Sequence, residues 1–284
     1  MYDFSAWDIL VFTRINMAKT IAFHLQKGGV GKTTISGTLA CQSALDGFKT
    51  LLIDVDPQGN ASSWFLKKTP KYELADVVQG RCYINDAIVP VEQVENLYLL
   101  PTFGIGGVLK NYSETKLSEE PFVLQDLVNE LSRDFDHIIL DLSPGLGRLE
   151  RSAIIASDEV ITPMTPEVFS LDGLEIFIDE LKRLKKNLRS QVRHSRVIIN
   201  SYDERIKQHR DILKAAQEGS FEVYRIPVDP VFRKAQEASM APQLFKERGR
   251  GLKDKTLESI ISLEKVIWDG GAVGRCYYGI EEKP

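Results

Sequence analysis

From Lys19 to Trp268 the chain alternates short apolar runs with longer stretches whose apolar residues recur every three or four positions. The short runs predict strands at 20–25, 50–54, 97–100, 137–141, 159–162, 197–200 and 222–226. The longer stretches predict helices at 33–45, 121–133, 150–156, 171–188, 207–217 and 254–268. The runs do not alternate in polarity, as a half-solvated strand would. Both strand faces are therefore expected to be buried, the pattern of a parallel sheet covered by helices. Alternation of strand and helix throughout predicts a doubly wound α/β fold with a mostly parallel sheet. Residues 103–120, rich in Gly, Ser and Glu, interrupt the pattern and read as an irregular surface excursion. No internal repeat or low-complexity linker divides the chain. One domain is expected over 17–268, between an N-terminal extension (1–16) and a loosely ordered C-terminal tail (269–284). Met17 stands directly before the first strand, so 1–16 reads as an upstream extension or an over-called start.

A length of 284 residues with 43% hydrophobic content suits one large α/β domain. The three cysteines, Cys41, Cys82 and Cys276, are far apart and form no CxxC pair, so a reducing cytoplasm is expected. No apolar run approaches the length of a membrane span. The first residues carry Asp3 and Asp8 and lack a basic region and a small-residue cleavage site, unlike a signal peptide. A net charge of −4 argues at first against a nucleic-acid partner. The distribution reverses that argument: residues 1–181 hold 14 basic and 26 acidic residues, whereas 182–284 hold 22 basic and 14 acidic.

The first strand runs into Gln26-Lys27-Gly28-Gly29-Val30-Gly31-Lys32-Thr33-Thr34 and then a helix. Strand, glycine-rich loop and helix are the context of a phosphate loop. Backbone N–H groups converge on phosphate oxygens there, and the helix N-terminus adds partial positive charge. Lys32 would reach the β- and γ-phosphates and Thr33 would ligate Mg2+. The second strand ends in Asp54-Val55-Asp56-Pro57-Gln58-Gly59-Asn60, two carboxylates where ligands of open α/β sheets bind. The run 137–141 is an apolar strand ending in Asp141, the form of a Walker B carboxylate.

In the ordinary phosphate-loop pattern the first glycine would fall at Gln26, and here Lys27 stands beside it. Lys-Gly-Gly-Val-Gly-Lys-Thr-Thr resembles the deviant Walker A loop of the ParA/MinD family of P-loop NTPases. The second acidic motif and the stretch from Ala156 to Leu174 resemble the same family. The resemblance extends over about 19–268 and implies a Mg2+-dependent ATPase with ATP as its nucleotide. By it, Lys27 is the signature lysine that contacts the nucleotide of the opposite subunit in an ATP-state homodimer. Asp56 orients water, and Asp54 and Asp141 support magnesium through its water shell. Asn200 recognises adenine, and the loop at Pro227 packs on the base. Ser143 replaces one of two family prolines after Asp141, with little consequence expected.

The basic half carries 11 basic against 3 acidic residues over 182–214, and a second cluster, Lys246, Arg248, Arg250, Lys253 and Lys255, precedes the last helix. Non-specific DNA contact needs only such charge. The resemblance implies DNA binding by the ATP dimer in DNA or plasmid partitioning, with Arg205, Arg210 and Arg250 as candidate contacts. It also implies a nucleoid-associated cytoplasmic location and a ParB-like activator. The first strand begins too early for an added helix-turn-helix domain. A MinD-like membrane-positioning ATPase and a positioner of another cargo remain alternatives. The last helix is followed by Gly270-Gly271 and acidic Glu281-Glu282 rather than a basic amphipathic end, so no membrane is expected. A reductase of the nitrogenase iron-protein type would need cluster cysteines that this chain lacks.

Overall fold

The computed structural model describes residues 17–104 and 108–268. The extension at 1–16 and the tail at 269–284 lie outside the described residues. Eight strands form one sheet: β1 (Lys19–Phe23), β2 (Thr50–Asp54), β3 (Val89–Pro90), β4 (Leu97–Leu100), β5 (His137–Asp141), β6 (Glu159–Met164), β7 (Arg193–Tyr202) and β8 (Glu222–Pro227). Their order is β3-β4-β2-β5-β1-β6-β7-β8, parallel except for β3 against β4. Every residue of β2, β5 and β6 is buried, which explains why these runs carry no polar alternation. β1 is central, with β5 and β6 on its two sides, and the chain winds from it toward both edges. This is the switch point at which open α/β sheets open a crevice beyond their carboxyl ends.

Strand residues divide alternately between two cores. Ile21, Phe23, Leu52, Ile139, Ile161 and Ile198 face helix α1 (Lys32–Leu45), the short α2 (Asn60–Phe65) and a C-terminal helix over 254–268. Ala22, Leu51, Ile138, Val160 and Val197 face the other cluster. That cluster includes Leu74 and Ala75 of α3 (Leu74–Val78) and Ile84 and Ala87 of α4 (Ile84–Ala87). It is completed by apolar stripes from α5 (Val108–Thr115), α6 (Val123–Leu131), α7 (Arg148–Ile155), α8 (Val168–Leu188) and α9 (Lys207–Glu218). After β8 come α10 (Val231–Glu237) and α11 (Asp254–Trp268). The apolar face of α11 is spent inside the molecule, with Ile260, Leu263 and Ile267 buried. Burying each such side chain contributes about 1.5–3 kcal/mol.

The excursion expected at 103–120 is a correction. Residues 108–115 form α5, and Leu109 and Tyr112 are buried at helical spacing. Two apolar anchors per eight residues give too faint a period to read, and tertiary packing supplies what propensity does not. Packing likewise creates α2, α3, α4 and α10. At the opposite end of the sheet from the crevice, Arg196 is 4% exposed and bridges Glu159 (2.6 Å) and Glu222 (3.0 Å). Ser195 Oγ donates to the other oxygen of Glu159 at 2.8 Å. This paired cluster ties together the starts of β6, β7 and β8.

Candidate functional site

The loop between β1 and α1 turns through Gly29 (φ 74°) and Gly31 (φ 90°), both in the left-handed region. Gly31 has a second constraint: a Cβ there would stand 2.2 Å from Nδ2 of Asn200. That amide donates to the Val30 carbonyl at 3.1 Å. Asn200, the β7 residue expected at the base, is buried and supports the phosphate loop through this bond. Pro227 ends β8, and Val228 N donates to Tyr202 O at 3.0 Å, so the ends of β7 and β8 are laced together beside it.

Lys32, the first residue of α1, is 7% exposed, and its Nζ donates to the carbonyls of Lys27 (2.8 Å) and Leu25 (3.3 Å). Burial lowers its pKa, and nearby Asp141 and Asp56 oppose that shift. Thr33 and Thr34 complete the first turn, and Thr33 hydrogen-bonds to Asp141. Gly28, Gly29, Gly31, Lys32 and both threonines line a cleft of about 590 Å3, with Asp56 across it. A second cleft of about 540 Å3 meets the first at Asp56, Gln58 and Pro144.

The three carboxylates play different parts. Asp54 and Asp141 are paired across β2 and β5 and fully buried. Asp54 Oδ2 accepts from both the amide and the hydroxyl of Ser62, each at 2.7 Å, and Oδ1 accepts from Asp56 N at 3.2 Å. It holds the turn from Val55 into α2. Asp141 Oδ1 accepts from Ser36 Oγ at 2.9 Å, while Oδ2 is buried without a partner. Burial pushes Asp141 up to about 6 despite the Thr33 and Ser36 hydrogen bonds, and burial with the neighbouring Asp141 charge raises Asp54 well above the usual range. An orphaned buried carboxylate oxygen one hydrogen bond from Thr33 fits a divalent cation, which would supply the missing positive charge. Asp56 is 5% exposed, held by Gln58 N at 2.9 Å, and its pKa is raised by burial.

Lys27 leaves the cleft. Its Nζ bonds Glu167 (2.6 Å) and Ser170 (3.0 Å), which lie just before and within the first turn of α8. Ser143 is active rather than passive: its hydroxyl donates to buried Glu150 and accepts from Gly145 N at 3.2 Å. Glu150 also accepts from Gly147 N at 2.8 Å, so this pair shapes the loop after Asp141. Sequence reasoning missed Glu167, Ser170, Glu150, Ser63, Trp64 and Gln236. Only the Asn60 side chain, which hydrogen-bonds Asp56, was signalled by the motif it belongs to.

The basic residues separate into two groups. Lys182 and Arg183 pair with Asp179 and Glu180 one turn earlier, on the part of α8 leading away from the crevice. Arg205 and Arg210 lie beyond β7 at the crevice end, where Arg205 pairs with Asp203 at 2.6 Å and Arg210 donates to Glu204 O at 2.6 Å. Lys255 pairs with Glu204 at 2.8 Å and brings the start of α11 to this loop. Arg250, exposed, closes a tight turn with Glu247 through two backbone bonds.

A glycine-turned loop, a buried lysine and strand-end carboxylates define a P-loop nucleotide-binding protein. A family model described as an AAA domain matches residues 18–194. The chain is 33% identical to the chromosome-partitioning ATPase Soj of Treponema pallidum, over 70% of this chain and 77% of that protein. It is 34% identical to an uncharacterised protein of Borreliella burgdorferi, over 77% of this chain and 88% of that protein. A putative plasmid partition protein from Borrelia burgdorferi, solved bound to AMPPNP, superposes with a TM-score of 0.71 at 27% identity, covering 87% of this chain and 99% of that one. MinD of Pyrococcus horikoshii, solved with Mg-ADP, shares the fold at 24% identity and TM-score 0.70, covering 88% and 96%. The chain belongs to the ParA/MinD family of ATPases.

Proposed function

We propose that this protein is a Mg2+-dependent ATPase that acts as an ATP-driven dimerisation switch in DNA partitioning. The observation that carries the reading is one loop bearing two lysines with different surroundings. Lys32 is buried among Asp56 and Asp141, whereas Lys27 is held at the surface. Lys32 and the loop amides neutralise the triphosphate. Asp56 faces the cleft and orients water for attack on the γ-phosphorus. Magnesium, when bound, supplies positive charge at the phosphates; Thr33 and, through water, Asp141 and Asp54 would hold it. Lys27 exchanges Glu167 and Ser170 for the nucleotide of a second copy, which makes dimerisation depend on ATP.

The crevice-end cations, Arg205, Arg210 and Arg250 with Lys207, Lys253 and Lys255, form the surface for non-specific DNA. A basic segment of a ParB-like partner accelerates hydrolysis. Membrane docking through α11 is disfavoured by the burial of its apolar face. Among the described residues no helix is long and apolar enough to cross a membrane. The plasmid and chromosome partition proteins among the relatives support partitioning as the cargo reading. Co-sedimentation with random-sequence DNA in ATP and in ADP tests the switch. Binding confined to ATP and weakened by salt is expected; equal binding in both nucleotides, or none in ATP, refutes it.

A further inference from the structure

We infer that Gln236 is a nucleotide-contact residue that reads the part of the ligand common to ADP and ATP; this rests on the nucleotide-site reading above. Gln236 belongs to α10, the helix that follows the Pro227 loop and is far in sequence from the phosphate loop, and it lines the same cleft as Gly28, Lys32 and Asp56. Its Nε2 donates to Thr34 Oγ1 at 3.1 Å, in the first turn of the helix whose N-terminus faces the phosphates. Lys32 and Asp56 are buried at the inner end of the cleft, whereas Thr34 and Gln236 are half-buried at its rim. The terminal phosphate belongs with Lys32 and Asp56. The rim therefore faces the inner phosphate and the sugar.

The amide is held in advance of binding. Directly after α10 the chain reverses at Ser239 (φ 50°). The next residues are pinned from three sides: Gln93 Nε2 to Ser239 O at 2.7 Å, Trp64 Nε1 to Met240 O at 2.9 Å, and Gln243 Nε2 to Thr38 O at 2.9 Å. A second bond through Gln93, from Ala241 N at 3.0 Å, closes the clamp. Little ordering is then left for the nucleotide to impose. With one Nε2 hydrogen on Thr34, a carboxamide keeps a second hydrogen for a phosphate oxygen and a carbonyl for a sugar hydroxyl.

The test uses the full chain, fluorescent ADP, a fluorescent non-hydrolysable ATP analogue, and thermal unfolding without nucleotide. Gln236→Ala is expected to weaken both ligands by the same factor, about 3- to 10-fold, the worth of one hydrogen bond. The isosteric Gln236→Glu is expected to lose more than Gln236→Ala for both, because a carboxylate then faces phosphates. Its unfolding midpoint should stay at the wild-type value, which keeps the test valid if the alanine variant folds poorly. Wild-type affinity in Gln236→Glu, or a loss confined to the ATP analogue, overturns the assignment while leaving the nucleotide site intact. A wild-type chain that binds neither ligand overturns the site reading itself.

Discussion

Replacing Gly31 by alanine tests the phosphate loop with a magnitude that the structure supplies. At φ 90° the new Cβ meets its own backbone, and a non-glycine residue in left-handed conformation costs about 1–2 kcal/mol. The same Cβ lies 2.2 Å from Asn200 Nδ2, so that amide must move and release its bond to Val30 O. A hydrogen bond of this kind contributes about 1 kcal/mol. Together the two effects give about 2–3 kcal/mol, which for a chain of this size lowers the unfolding midpoint by about 4–12 °C. If the loop relieves the strain by tilting, its amides lose their aim, and ATP-analogue affinity falls by about 30- to 150-fold for the same energy. Gly28→Ala is the internal control. Its Cβ would meet nothing within 4 Å, and it should unfold close to the wild-type temperature. Calorimetry and a fluorescent-nucleotide titration on both variants decide the matter. A Gly31→Ala protein with wild-type midpoint and affinity would refute the reasoning, and so would an equal drop in midpoint from Gly28→Ala.

Arg196→Ala removes the nearer of the two cations beside fully buried Glu159 and leaves Lys19 at 3.8 Å, so a loss of about 3 kcal/mol, the low end for a broken buried pair, is expected in denaturant unfolding; a change under about 1 kcal/mol contradicts it. Asp141→Asn should stabilise the nucleotide-free protein at pH 7.5 by on the order of 2 kcal/mol while abolishing Mg2+-dependent hydrolysis, because burial holds the native carboxyl at about 6. The folded wild type binds this proton more tightly than the unfolded chain, so its stability rises as pH falls through about 6. The advantage of the variant should shrink toward pH 5, and a constant gap across that range would count against the assignment. Asp56→Ala should bind ATP but not hydrolyse it, checked by phosphate release; hydrolysis at the wild-type rate removes Asp56 from its role.

The strands were legible because burial on both faces leaves unbroken apolar runs such as Ile138-Ile139-Leu140. The phosphate loop and acidic motifs were legible because Lys32, Asp56 and Asp141 sit next to the strand ends that position them. Contacts between distant segments left no local trace. Lys27 meets Glu167 across 140 positions, and Gln236 reaches Thr34 across 202. Helix α5 reads as an excursion in the sequence because Leu109 and Tyr112 are its buried anchors. The basic excess after residue 181 was correctly located in sequence, but its division between two ends of the molecule depends on the path of α8 and β7.

Light scattering on Asp56→Ala protein, with ATP and then with ADP, tests the switch most directly. The account predicts twice the chain mass in ATP, a single chain mass in ADP, and a single chain mass in both nucleotides once Lys27→Ala is added. A mass that ignores the nucleotide, or an ATP dimer that survives the loss of Lys27, would contradict it.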